Sequence, residues 1–492
     1  MRQLSGLDAS FLVLETADSP MHIGATVLLD PSTREGGLSF GDFRQFLASR
    51  IGAIPIFRQK LQEEPTGLGK PYWVDDTEFD LDHHLQRAEI PEPGGWRQLR
   101  ALMEWEFSQP LDRSRPLWQI TFAEGLGAVR GLPEGCAVLI SKVHHAAIDG
   151  LSGAEILAAL FDLSPDAPAP PPETGWSPED PPGTLALLSR AGRNLASKPG
   201  EITRTVRHTL TGAVRAGAAR ALGRVEPPPS PFTAPRCRLN APVTDERVWD
   251  GVVLSLEGIK EIKNAAADTG IQGATVNDVV LTVCSGALRR HLSELQELPE
   301  DPLVAMVPVS VRPEEARSAM GNQVTAMLVS LATDLEQPGE RLTAIRSAAN
   351  RSKIYQQALG AETLSDYTRF LPFSLGGLAT RLYSRMHLSR YHKPIFNLVI
   401  TNVPGPQVPL YMAGTRMLAH IGAGPIFDGM GMILVIFSYA GSLAIGVTSC
   451  RSILPDASVF TRHLAASYGE LRQDLGLAAD AGAGKILFLG DS

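Results

Sequence analysis

Cysteine is scarce. The 492 residues include four, Cys136, Cys237, Cys284 and Cys450, scattered and with no C-x-x-C pair. That spacing excludes a zinc ribbon and a disulfide framework, and the simplest reading is a reducing compartment. A basic excess is also lacking: the formal net charge is -8, against a general nucleic-acid binder. No uncharged apolar run reaches the roughly 18 residues of a membrane span. The longest apolar stretch, 430–447, is broken by Gly431, Ser438, Gly441 and Ser442. It reads as two strands around a turn at Ala440-Gly441-Ser442. The start, MRQLSGLDASFLVLE, has one basic residue and soon meets Asp8 and Glu15, unlike a signal peptide. These absences lead to the expectation of a soluble protein, at most peripherally attached to a membrane. A hydrophobic content of 44% and a charged content of 20% suit a folded globular chain. The length asks for two domains.

Proline marks the division. SPDAPAPPPETGWSPEDPPG, 164–183, cannot continue helix or sheet and favours extended chain. Residues 184–224 are rich in alanine, leucine and arginine and read as two helices parted at Lys198-Pro199-Gly200; EPPPSPFTAP (226–235) ends them. The expected organisation is an N-terminal domain at 1–163, a proline-rich and helical linker at 164–235, a C-terminal domain at 236–475 and a tail at 476–492. The linker carries Arg190, Arg193, Lys198, Arg204, Arg207, Arg215, Arg220 and Arg224 against Glu201. This basic island is either a solvated helical face or a contact for anionic lipid headgroups. Both halves mix the two periodicities, which predicts an α/β fold in each. Strands are expected at 22–29, 117–123, 137–143, 251–256, 303–309, 324–331, 396–401 and 433–439. Helices are expected at 41–51, 96–108, 153–161, 258–268, 276–292, 338–356 and 456–474.

The chemistry concentrates in VLISKVHHAAIDGLSG (138–153). The strand-like run 137–143 precedes it, and Ser152-Gly-Ala-Glu155 has capping-box spacing before an apolar helix. His144 to Gly150 therefore occupies a strand-to-helix loop, where function often resides. Adjacent residues of extended chain point to opposite sides, so His144 and His145 cannot easily serve one atom. No third ligand with zinc-like spacing accompanies them, so no metal site is expected. No G-x-S-x-G nucleophile is nearby, against a covalent acyl-enzyme. One histidine as general base remains, with an ordinary pKa of about 6.5 near working pH. Asp149 would order the loop, and Gly150 suits a tight backbone. A second pair, His83-His84, has no Asp-Gly after it and lies among charges. It reads as structural or surface.

His144-His145-Ala-Ala-Ile-Asp149-Gly150 resembles the H-H-x-x-x-D-G signature of the superfamily of chloramphenicol acetyltransferase-like enzymes and peptide-synthetase condensation domains. Further stretches narrow the resemblance: Pro116-Leu117-Trp118, Val276-Asn277-Asp278-Val279-Val280, Pro308 to Arg312, Gly321-Asn322-Gln323, and Asn402-Val-Pro-Gly-Pro406. With LSGLDASFLVLE, and over about residues 1–475, the chain is similar to the bacterial bifunctional wax ester synthase/acyl-CoA:diacylglycerol acyltransferase family. One departure is small: Thr401 stands where family members often have serine, and the hydroxyl is kept.

The resemblance implies two acetyltransferase-like α/β domains with a tunnel between them, and transfer of a long-chain acyl group from acyl-CoA to diacylglycerol or a fatty alcohol. It implies no metal and no bound cofactor, with acyl-CoA as co-substrate. It selects His145 as the base, with His144 and Asp149 beside it and no protein nucleophile storing the acyl group. It suggests Arg312 as partner of Asp149, and substrate contacts at Pro116, Trp118 and Asn402, the last shaping the tunnel or its CoA entrance. Asn277, in a first helical turn, is a candidate oxyanion donor. The alternative is that Thr275, Asn277 and Asp278 only form the helix start. Attachment to membrane or lipid inclusions follows from the apolar substrates. Two other readings stay open: a related acyltransferase with a carrier-protein donor or another acceptor, and a lipid-binding protein with a dead site, which the intact His145, Asp149 and Gly150 disfavour.

Overall fold

Several helices in this chain begin where a side chain supplies the acceptor that the first turn lacks. Ser5 accepts from the Asp8 N–H to open α1 (Gly6–Leu14). Ser39 and Asp42 form a capping box at α2 (Phe40–Arg50), and Thr275 and Asp278 form another at the helix Val276–Glu294. The computed structural model describes residues 1–65, 69–127, 129, 131–148, 153–168, 176–184, 186–189, 229, 232–310, 324–359, 382, 385–386 and 391–478. The basic island of the linker from Arg190 onward, Asp149, Gly150, Ser152, Arg312 and Gly321 to Gln323 lie outside these residues.

After β1 (Arg2–Gln3), α1, β2 (His22–Asp30) and α2 come β3 (Gln59–Gln62), β4 (Tyr72–Asp75), β5 (Leu85–Glu89) and α3 (Trp96–Ser108). The first half closes with β6 (Trp118–Leu126), β7 (Cys136–His144) and α4 (Gly153–Leu160). The second half runs β8 (Arg247–Ser255), α5 (Leu256–Asp268), α6 (Val276–Glu294), β9 (Val304–Ser310), β10 (Val324–Ser330) and α7 (Pro338–Leu359). It ends with β11 (Leu398–Pro404), β12 (Tyr411–Met412), β13 (Thr415–Ala423), β14 (Met432–Tyr439), β15 (Ser442–Cys450) and α8 (Ala457–Asp474). The strands and helices expected outside the linker are present, with ends moved by a few residues. The turn between β14 and β15 is two residues, Ala440 and Gly441, both at positive φ (43° and 83°), the geometry of a tight hairpin.

The described strands form two six-stranded sheets, ordered β12-β13-β2-β7-β6-β5 and β10-β9-β11-β14-β15-β8, beside a small sheet β1-β4-β3. The chain therefore has the α/β architecture in two halves that was expected. Sheet membership does not follow chain order, however. β13, from the second half, pairs antiparallel with β2, from Arg416 opposite Asp30 to Ala423 opposite Gly24. β13 was not among the expected strands.

Small residues allow this crossing. A Cβ on Gly422 would lie 2.3 Å from Val435 Cγ1, and one on Gly446 would lie 1.9 Å from the Gly422 carbonyl oxygen. On the other face of β13, Ala419, Ile421 and Ala423 share one buried core with Leu28, Val138 and Ile140 of the first half and Trp249, Val253 and Ala444 of the second. Each large apolar side chain buried there contributes about 1.5–3 kcal/mol. The Trp249 indole N–H donates to the Gly422 carbonyl at 3.3 Å. The Tyr439 hydroxyl donates to the Met417 carbonyl and accepts from the Leu410 N–H. Asp250, fully buried, accepts from Trp96 Nε1 at 2.7 Å and from the Thr461 hydroxyl at 2.8 Å, tying α3, β8 and α8 together.

Gly446→Ala places its methyl against backbone that no rotamer change can relieve. It is expected to destabilise the protein by about 1–3 kcal/mol or more, lowering the urea midpoint. Gly469→Ala, at an exposed helical site where a Cβ meets nothing within 4 Å, is expected to leave the midpoint unchanged or raise it. Equal midpoints for Gly446→Ala and the parent would contradict the close sheet crossing.

Candidate active site

The motif begins as the last residue of a strand. β7 reads CAVLISKVH and is buried along almost its whole length, as a central strand should be. Its end is anchored on both sides. His144 lies opposite His22 of β2. The His144 N–H donates to the Leu117 carbonyl at 2.9 Å and the His145 N–H to the Met21 carbonyl at 2.8 Å. Lys142, buried beneath, donates from Nζ to the carbonyls of Glu106 (3.0 Å) and Gln109 (3.2 Å) at the end of α3. A cation there satisfies carbonyls the helix leaves open. The chain then makes a 3₁₀ turn, His145–Ile148, before α4.

The two histidines separate as alternation requires. His144 is buried, and its Nδ1 accepts the Ala146 N–H at 3.1 Å. A ring nitrogen that accepts carries no proton, so His144 is the neutral Nε2–H tautomer. That Nε2 lies 3.5 Å from Glu15 Oε1. Glu15 caps the end of α1 and also receives Arg113 Nε at 2.7 Å and the Met21 N–H at 3.4 Å. Burial raises its pKa, but the nearby Nε2–H of His144 and the guanidinium of Arg113 outweigh it and hold the carboxyl at about 2. Glu15 thus touches both His144 and Met21, whose carbonyl holds His145.

His145 faces another environment. Its ring stacks on Phe11 of α1, with centroids 3.7 Å apart and planes 14° apart. The residue is half-buried. Its Nδ1 is enclosed and has no hydrogen-bond partner among the described residues. Burial pushes its pKa down to about 4, against the pull of its own backbone. His145 is therefore neutral near pH 7.

The remaining expected residues fall into three groups. Asn277 and Asn402 come together: the Asn402 amide donates to Asn277 Oδ1 at 3.3 Å, linking β11 to the first turn of α6. The capping of α6 falls to Thr275 and Asp278, which exchange both bonds of the box. Pro116 and Trp118 are core residues. Trp118, expected at substrate, stacks between Phe57 (4.7 Å) and His84 (4.5 Å) and donates its indole N–H to the Phe57 carbonyl. Both faces and its polar atom are occupied by protein groups. Between them, Leu117 supplies the carbonyl that holds His144. Asp149, Gly150 and Arg312 lie outside the described residues. His84 is buried against Trp118, while His83 lies at the surface beside Arg115. Among the described residues no three His, Cys, Asp or Glu side chains cluster as a metal ion would need.

Phe11, Glu15 and Arg113 were not singled out from the sequence. The one available signal was Ser5 three residues before Asp8 ahead of an apolar run, which marks a helix start. Nothing local places that helix on the histidine turn.

Two central sheets, with the histidine turn at the end of one strand, make up the fold. The starter condensation domain of rhizomide synthetase shares it, with a TM-score of 0.53 at 15% identity over 97% of this chain and 95% of that one. Residues 4–280 match the wax ester synthase/diacylglycerol acyltransferase catalytic domain, and residues 320–472 match the C-terminal domain of the same family. The chain belongs to the wax ester synthase/diacylglycerol acyltransferase family, as its resemblance implied. A candidate diacylglycerol O-acyltransferase of Mycobacterium tuberculosis is 37% identical over 93% of this chain and 87% of its own length. The wax ester synthase/diacylglycerol acyltransferase of Marinobacter aquaeolei is 28% identical, with a TM-score of 0.66 over 96% of this chain and all of that one.

Glu15→Gln removes the charge that joins His144, Arg113 and Met21. Because the folded carboxyl titrates at about 2, below the ordinary value of about 4.3, its contribution is present above pH 4.3 and is lost as pH falls toward 2. Glu15→Gln is expected to be less stable than the parent at pH 7. The gap between their urea midpoints should narrow below pH 4.3, and a gap independent of pH would contradict the ionised brace.

Proposed function

We propose that this protein is an acyl-CoA-dependent O-acyltransferase. It moves a long-chain acyl group to diacylglycerol, giving triacylglycerol, or to a fatty alcohol, giving wax ester. The observation that carries the reading is His145: a neutral, half-buried imidazole with an enclosed Nδ1, presented at the end of a braced strand in a chain of this family. Nε2 takes the proton of the acceptor hydroxyl as its oxygen attacks the thioester carbonyl. The carbon–sulfur bond then breaks, and the imidazolium returns the proton to the CoA thiolate. Both substrates are bound together. The reading uses no resident cofactor.

Asn277 is the proposed oxyanion donor. Its side-chain oxygen is taken by Asn402, which leaves its N–H₂ as the donating end, at a helix start that favours negative charge. The capping role is already filled by its neighbours, which weakens the purely structural alternative. Asp149 is read as a brace of the loop with Arg312 as partner. No described helix is long and apolar enough to cross a membrane. Attachment to a membrane or lipid inclusion is proposed as peripheral, since both acceptors are apolar.

The test is thiol release and lipid product from palmitoyl-CoA with hexadecanol or dioleoylglycerol. His145→Ala is expected to lose activity by about 10²–10⁴-fold while remaining folded. Substantial activity in that variant, or no thiol release by the parent with either acceptor, would overturn the reading. Asn277→Ala is expected to lower kcat by about 10²–10³-fold, and a loss confined to stability would return Asn277 to a helix-start role. With a base pKa of about 4, the acid limb of kcat/KM should fall below pH 5, with no decline between pH 8 and 6.

A further inference from the structure

A base with so depressed a pKa is a weak proton acceptor, so whatever steadies its protonated form controls how well it works. In many hydrolases a carboxylate on the second ring nitrogen does this. Among the described residues none occupies that place. His145 Nδ1 has no hydrogen-bond partner there. Glu15, the acid nearest in the network, is engaged with His144, Arg113 and Met21 instead. Burial pushes the imidazolium down, and only His145's own backbone acts the other way.

What covers the imidazole is an aromatic face. Phe11 lies parallel to it at 3.7 Å between centroids. The negative face of an aromatic ring attracts a cation within about 6 Å, more strongly when water is excluded. The helix that carries Phe11 is fixed at both ends, by Ser5 with Asp8 and by Glu15 with Arg113, so the ring is held rather than collapsed onto the histidine by chance. Stacking also sets the plane of the imidazole.

We propose that Phe11 is a positioning residue for His145: its ring face orients the base and stabilises the imidazolium formed when the acceptor's proton is taken. The proton passes from the hydroxyl oxygen to the imidazole nitrogen and on to the departing thiolate. Phe11 changes no bond and acts only on the charge in between. This rests on His145 being the base.

Fluorination separates charge from shape. The full-length protein is made with mono-, tri- and pentafluorophenylalanine at position 11, and kcat is measured with palmitoyl-CoA and hexadecanol. Each fluorine weakens the negative face and barely changes the packing. The expected result is a graded fall in kcat, about tenfold at the pentafluoro ring, with the KM for palmitoyl-CoA unchanged. Phe11→Trp should keep activity, and Phe11→Leu should lose about as much as the pentafluoro ring. Equal kcat across the fluorinated series, or a loss unrelated to fluorine number, would overturn the proposal. His145→Ala in the same assay keeps the two readings apart. If it is inactive and the fluorine series is flat, only the role of Phe11 fails; if it is active, both fail.

Discussion

The antiparallel ladder between β2 and β13 is the constraint on which the rest of the structure depends. It joins residues almost 400 positions apart in sequence and makes one sheet from both halves of the chain. Once β13 is committed to the first sheet, its glycine face must meet β14 and β15 of the second, and Gly422 and Gly446 leave room only for backbone. The relative placement of the sheets is therefore set by hydrogen bonds and close packing rather than by a hinge. A site that uses elements of both halves gains fixed geometry from this, which a general base requires.

The same economy runs through the histidine motif. Extended backbone turns His144 and His145 apart, and each finds a different neighbour on α1. His144 reaches the ionised Glu15, whose charge is balanced by Arg113. His145 lies against Phe11 with no described acid. One histidine is thereby locked as a neutral brace, while the other is left able to change charge. Met21 connects the two, since its N–H reaches Glu15 and its carbonyl holds the His145 N–H.

Much of this was legible in the sequence where the signal is local. Capped amphipathic helices and apolar strands such as CAVLISKVH announce themselves by period and by cap, and the Ala440-Gly441 turn by its glycine. β13 did not. TRMLAHIGA mixes polar and apolar residues, and its Gly422 is small because another sheet lies against it; the reason sits far away in the chain. The packing of Trp118 was hidden for a related reason. A motif shows that a residue belongs with the site, not whether it touches substrate or packs behind it, and Leu117 between Pro116 and Trp118 does its work through a backbone carbonyl. Phe11 and Glu15 were hidden because their importance comes from where α1 docks. The Asn277–Asn402 contact was likewise invisible, although both residues were chosen, since no local pattern pairs a helix start with a strand 125 residues on.

The central claim is direct transfer within a ternary complex, driven by one histidine and with no acyl group held on the protein. Mixing stoichiometric protein with radiolabelled palmitoyl-CoA in the absence of any acceptor tests it most directly. Direct transfer predicts no stoichiometric burst of free thiol and no label retained by the denatured protein, with both thiol and labelled lipid appearing only after hexadecanol or dioleoylglycerol is added. A burst matching the protein concentration, with label covalently attached to the chain, would contradict it.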